Sequence, residues 1–252
     1  MKHSGIIFIF VILALVSCAE DLKLIKKQSE ASRDLGEVYY GQGEYTSALR
    51  EFLNAEKLYQ DDPYLQNDLG LTFIAKGKPD IAITHFQKAI ALKSDYAPAK
   101  NNMGIAHIIR KDWDAAIKAF KEVSADLLYA TPHYPLSNLG LAYFHKKEYE
   151  TAAEYYKKAL EMEPAFTKAL RGLGRVYIEM GKMQEAVKVF DKAIRISPRF
   201  PESYFHLAEA YSLSHNYVHA IRMYQKVIEL APETPLAEEA RKEIQKLGGI
   251  RK

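Results

Sequence analysis

A small residue follows an apolar one at nearly fixed intervals along this chain of 252 residues. Gly36, Gly70, Gly104, Gly140, Gly174 and Ala208 stand 34, 34, 36, 34 and 34 residues apart. A period of that length means an array of supersecondary units, each too small to bury its own apolar face. The clearest copy is the stretch 167–200. In it Leu170, Leu173, Gly174 and Tyr177 follow L-x2-L-G-x2-Y, and Ala186, Phe190, Ala193 and Pro198 come after. Leu173 and Tyr177 lie one turn apart on the apolar face of a first helix. Gly174 and Ala186 are small where two helices approach, and Phe190 and Ala193 turn from the second helix into that seam. Gly181 supplies the positive φ that ends the first helix, and Pro198 stops the second.

These residues resemble the tetratricopeptide repeat (TPR), two antiparallel helices per unit. The resemblance implies an all-α TPR solenoid of six helix-turn-helix repeats and a C-terminal capping helix. The repeats fall at 29–62, 63–96, 97–132, 133–166, 167–200 and 201–234. The third carries two extra residues, and Pro132 and Pro135 sit near the start of the next helix. That insertion reads either as a tolerated loop or as a local change of superhelical pitch. The stretch 235–252 holds one more helix, rich in Glu, Lys and Arg, as a solenoid end requires. The 17 tyrosines against one tryptophan fit a Tyr recurring in each unit.

The first residues are a separate object. Lys2 gives a positive start, and Ile6 to Val16 is an unbroken apolar run. It is shorter than the ~20 residues needed to span a bilayer and has the length of a secretory signal core. It ends in Leu15-Val16-Ser17-Cys18, which resembles the lipobox of bacterial lipoproteins; the alternative is an ordinary signal with an incidental cysteine. Cys18 is the only cysteine, so no internal disulfide is possible. The resemblance implies a signal peptide over 1–17, a lipidated tether over 18–28 and palmitate-type acylation at Cys18. It implies diacylglycerol on the thiol and an acylated α-amine, and at ~0.8 kcal/mol per buried CH2 those three chains anchor permanently. Ala19, rather than Asp, follows the cysteine, which points to the outer membrane, with the protein on its periplasmic face.

No catalytic chemistry stands out. Net charge is +3, and basic residues interleave with acidic ones, a solvated helical surface rather than a nucleic-acid footprint. The eight histidines form no H-E-x-x-H. His215 and His219 lack an acidic or cysteine partner at ligand spacing, so no metal site is expected. There is no G-x-S-x-G, Walker loop or dinucleotide fingerprint, so neither an enzyme nor a cofactor beyond the covalent lipid is expected.

In TPR proteins, positions 2, 5, 9 and 12 of each unit face the concave side. Carried onto this chain, positions 9 and 12 of repeats two to four are Leu71 and Ile74, Ile105 and Ile108, Leu141 and Phe144. Beside them stand Asn67, Asn101, Asn102 and Asn138. Two readings of this row stand: inter-repeat core, or an apolar patch that expects a partner, with the asparagines bonding a peptide backbone. Lys168, Arg171 and Arg175 of repeat five form a second candidate surface, and repeat six presents Glu202 and Glu209. The Lys/Asn clamp with which chaperone-binding TPR proteins hold a C-terminal carboxylate is not formed at matching positions, which argues against that function.

A lipobox, a short tether and six TPR units resemble the pilotin lipoproteins of type IV pilus biogenesis, the PilF/PilW family. The more specific likeness is the junction of repeats three and four, from Glu122-Val123-Ser124 through Leu128-Tyr129 to Asn138-Leu139-Gly140-Leu141. The Pro132/Pro135 pair and its shorter spacing depart from that family. The resemblance implies a partner, the outer-membrane secretin subunit, and a role in its localisation and assembly. Two other readings remain: an envelope adaptor recruiting peptidoglycan hydrolases or synthases, and a hydrolase or transferase with an unrecognised site.

Overall fold

The computed structural model describes residues 3–125 and 130–250, with side chains described from residue 20 to residue 249 except at 126–129. The lipobox, including Cys18, therefore lies outside the described side chains, and so do Leu128 and Tyr129 of the junction. All regular structure among the described residues is helical. The chain divides into two compact units, 1–112 and 113–252. The division falls inside the third repeat, between its two helices.

Unit 1 holds α1 (His3–Gly41), α2 (Tyr45–Leu58), α3 (Pro63–Ala75), α4 (Pro79–Leu92) and α5 (Ala97–Ile109). Unit 2 holds α6 (Trp113–Ser124), α7 (His133–His145), α8 (Tyr149–Met162), α9 (Thr167–Glu179), α10 (Met183–Ile196), α11 (Pro201–Leu213), α12 (Tyr217–Leu230) and α13 (Pro235–Ile250). Helix pairs α1/α2 and α3/α4 pack as hairpins in unit 1, as do α7/α8, α9/α10 and α11/α12 in unit 2. In each unit the first helices also touch in succession: α1, α3 and α5, then α7, α9 and α11. This is the all-α helical-repeat solenoid class expected from the sequence.

The seams explain the period. A Cβ added at Gly36 would lie 2.6 Å from the Phe52 ring, at Gly70 2.4 Å from Phe86, at Gly140 2.9 Å from Tyr156 and at Gly174 2.5 Å from Phe190. Each small residue on a first helix thus receives the aromatic ring sixteen residues later. Those four rings are nearly inaccessible to solvent. The turn between the helices repeats as strictly. Gly43, Gly77, Lys111, Lys147, Gly181 and His215 all take positive φ, between 59° and 79°. At Gly181 the next amide, Lys182 N–H, donates to Tyr177 O at 2.8 Å, which closes the Schellman cap. Lys111, Lys147 and His215 adopt the same left-handed conformation despite their Cβ, at a cost of ~1–2 kcal/mol each.

The ends differ from the interior. Leu69, Leu139, Leu173 and Leu207 are buried, whereas the equivalent Leu35 is 43% exposed. Among the described residues no helix covers that side of α1. At the other end α13 packs on α12 and buries Ala237, Ala240 and Leu247. The charged stretch expected as a tether is helical and continuous with α1, so its ten residues from Ala19 to Gln28 rise ~15 Å rather than the ~35 Å of an extended chain. No helix among the described residues is long and apolar enough to cross a membrane.

Candidate functional site

In unit 1 the polar groups on the layer of first helices are bonded to one another. Asn67 on α3 is buried and accepts from Asn102 Nδ2 on α5 at 2.9 Å. Arg33 on α1 meets Asp62 Oδ2 at 2.6 Å and Glu37 Oε1 at 3.3 Å. The other Asp62 oxygen accepts from Tyr64 N–H at 2.8 Å and so caps α3. Asp68 follows Asn67 on α3 and accepts from its Nδ2 at 3.4 Å. Burial pushes its carboxyl up to about 7, and Glu37 adds repulsion, while the Asn67 amide and Arg33 pull the other way.

The apolar row of unit 1 is shared between core and solvent. Leu71 and Ile74 are half-buried and pack on the cluster of Ala82, Ile83, Phe86 and Ala106. Ile105 and Ile108 are also half-buried. Asn67, Asn101 and Asn138 are 6%, 9% and 2% exposed, respectively. The amides expected to meet a partner's backbone are thus turned inward. Asn67 serves as an acceptor between two helices of the same unit.

Unit 2 is built differently. Lys168 Nζ on α9 donates to Asn138 Oδ1 on α7 at 2.8 Å. A lysine and an asparagine from successive repeats therefore do meet, although the clamp pattern does not predict it. The Arg171 guanidinium lies 3.7 Å from the Phe200 ring centroid, and that of Arg175 lies 4.6 Å from Phe144. Phe144 is therefore covered by a cation and is not a bare apolar contact. Together with Leu141 and Glu202, the three basic residues line a cleft of about 250 Å³. Lys168 is an exposed residue whose ammonium is held by the bond to Asn138 Oδ1. Burial, reinforced by Arg171, holds its pKa below the usual lysine value, and burial does the same to Arg171, with Glu202 opposing. No carboxylate lies within ion-pair distance of any of the three among the described residues.

Gly172 shapes the floor of the cleft. A Cβ there would lie 2.2 Å from Tyr156 Cζ, so only glycine lets the ring of the preceding repeat slide beneath α9. Tyr156 is legible from the sequence only as a repeat residue, and Gly172, Phe200 and the Arg33–Asp62 pair are not among the expected site residues. A signal for the last two was present: Arg33 and Arg171 both occupy position 5, and Asp62 and Phe200 both occupy position 34, of their repeats. His215 and His219 bond locally, to the Tyr217 hydroxyl and Asn216 Oδ1, each at 2.8 Å. Among the described residues no group of three His, Cys, Asp or Glu side chains is placed to hold a metal.

The sequence matches the family described as the tetratricopeptide repeat protein 21 C-terminal ARM domain over residues 45–246. Comparison with curated proteins finds no match. Among solved structures, PilF of Pseudomonas aeruginosa superposes with a TM-score of 0.72 at 20% identity, over 87% of this chain and 99% of PilF. PilW, described as a widely conserved type IV pilus biogenesis factor, gives 0.77 at 20% identity, over 84% of this chain and 97% of PilW. YrrB, described as a TPR protein with an unusual peptide-binding site, gives 0.54 at 20% identity, over 76% and 97%. At that identity the likeness shows the fold.

Proposed function

The chain belongs to the tetratricopeptide repeat protein 21 C-terminal ARM domain family, and from that premise we propose that it is a non-enzymatic, lipid-anchored scaffold. Its role is that of a pilotin: it binds the secretin subunit of the type IV pilus and aids that subunit's localisation and assembly at the outer membrane. The carrying observation is the surface of first helices in unit 1. There Leu71, Ile74, Ile105 and Ile108 remain half-buried after folding, while the neighbouring Asn67 already accepts from Asn102. Aliphatic groups left partly wet beside satisfied amides offer contact area to an amphipathic helix or extended segment without leaving the free protein strained. PilF and PilW share this fold over most of their length, and PilW is described as a pilus biogenesis factor, which supports the pilus reading. The sequence ending in Cys18 supports the anchor.

The test is fractionation of cells carrying the wild type or Cys18→Ser, with labelled palmitate and detection of secretin multimers. Label enters the wild type alone, and the serine variant leaves secretin multimers depleted from the outer membrane. Label in the serine variant, or multimers unchanged when the whole chain is deleted, contradicts the reading.

A further inference from the structure

We propose that the α9 cleft of unit 2 is a second binding site, which takes an acidic side chain, Asp or Glu, of an extended protein segment together with a neighbouring apolar residue. It goes beyond the apolar surface of unit 1 and shares with the scaffold reading only that the ligand is a protein segment.

Three cations converge on one small space. Lys168, Arg171 and Arg175 occupy positions 2, 5 and 9 of one helix and line the same cleft. In a chain whose net charge is only +3, three clustered cations with no carboxylate in ion-pair distance among the described residues are a local imbalance. Arg33 of unit 1, by contrast, is surrounded by Asp62, Glu37 and Asp34. The bond to Asn138 Oδ1 fixes the Lys168 ammonium beside the cleft, where an incoming anion supplies a charged acceptor.

The geometry selects the anion. The guanidinium groups of Arg171 and Arg175 lie over the Phe200 and Phe144 rings, which limits their freedom and leaves N–H edges for a planar, forked acceptor. A carboxylate has that shape. Glu202 lines the same cleft and partly offsets the three cations. A space of about 250 Å³ admits one or two side chains and no folded domain. The wall of Leu141, Tyr156 and Phe200 gives the apolar neighbour somewhere to rest.

The experiment is fluorescence anisotropy on the full chain in detergent, with three labelled hexapeptides. The first is acetylated and amidated and carries one Glu between Leu and Phe. The second has Gln in place of Glu. The third is the Gln peptide with a free C-terminal carboxylate. The Glu peptide binds roughly tenfold or more tightly than either Gln peptide, and its affinity falls as salt is raised. Arg171→Gln and Arg175→Gln each weaken it roughly tenfold with melting temperatures near that of the wild type. Equal binding of the first two peptides overturns the proposal. Preference for the free C-terminus overturns it in favour of a chain-end site. If either arginine variant melts far below the wild type, Lys168→Gln replaces it, and retained affinity there overturns the proposal. No secretin enters this assay, so its failure leaves the pilotin reading standing.

Discussion

Arg33 and Arg171 stand at the same position of their repeats and meet opposite surroundings. Twenty-nine residues on, Arg33 finds Asp62 at 2.6 Å, and Arg171 finds the Phe200 ring at 3.7 Å. Position 5 reaches position 34 of its own repeat in both units. The repeat fixes which positions meet, and the residue at position 34 decides whether the charge is spent internally. In unit 1 it is spent: Arg33 pairs, Asp62 caps α3, and Asn67 and Asn102 bond each other. In unit 2 the ring supports the cation without neutralising it. A helical-repeat protein can thus hold a closed polar network in one unit and an open cationic cleft in another with the same backbone.

The largest effect comes from forcing the seam of the open unit. Gly140→Leu places a branched side chain where a Cβ alone would lie 2.9 Å from the Tyr156 ring. Overpacking of this kind costs ~1–3 kcal/mol. Because repeats couple to their neighbours, hydrogen exchange accelerates in α7 to α9 and leaves α1 to α3 of the closed unit protected. Uniform loss of protection contradicts that locality.

The closed unit has its own weak point in Asp68. Its folded pKa, raised to about 7, lies above the ~3.9 of an unfolded aspartate. The folded state therefore holds the proton more tightly than the unfolded state. Stability from this group is fully present below pH ~4 and is lost as pH rises through about 7. Asp68→Asn cannot ionise. Its melting temperature matches the wild type near pH 4 and exceeds it by roughly a few degrees at pH 8. A gap that is constant across that range contradicts the assignment.

The smallest change in stability sharpens the comparison most. Phe200→Asp rebuilds in unit 2 the residue pair found in unit 1. Phe200 precedes α11 and provides no side-chain cap, whereas Asp62 caps α3. The aspartate gains a cap worth ~1 kcal/mol and a partner for Arg171. Calorimetry then shows a slightly higher melting temperature, while affinity for the acidic hexapeptide falls roughly tenfold. Unchanged affinity would mean that Arg171 does not face the ligand.

The fold was legible because it rests on small residues and rings at fixed spacing, and both follow from backbone approach. Gly36 with Phe52 and Gly174 with Phe190 carry that information in the sequence. The site was legible in part. The repeat position of Ile105 leaves core and open surface equally available, whereas Lys168, Arg171 and Arg175 stand out as basic residues of one repeat. The inward turn of Asn67 and Asn138 does not, because an asparagine at a groove position can bond a partner or a neighbouring helix, and only the facing Asn102 or Lys168 decides. Phe144 read as apolar because the ring over which Arg175 settles depends on packing between repeats.

The central claim is that a protein partner is held on the first helices of unit 1, and Ile105→Glu tests it with two readouts on one variant. A buried carboxylate opposite an apolar ligand face costs about several kcal/mol of binding, while a half-buried position leaves the free fold nearly intact. The account predicts a melting temperature close to the wild type and loss of secretin capture from detergent-solubilised envelopes. Intact capture with an intact melt, or a collapsed melt showing Ile105 to be core, would contradict it.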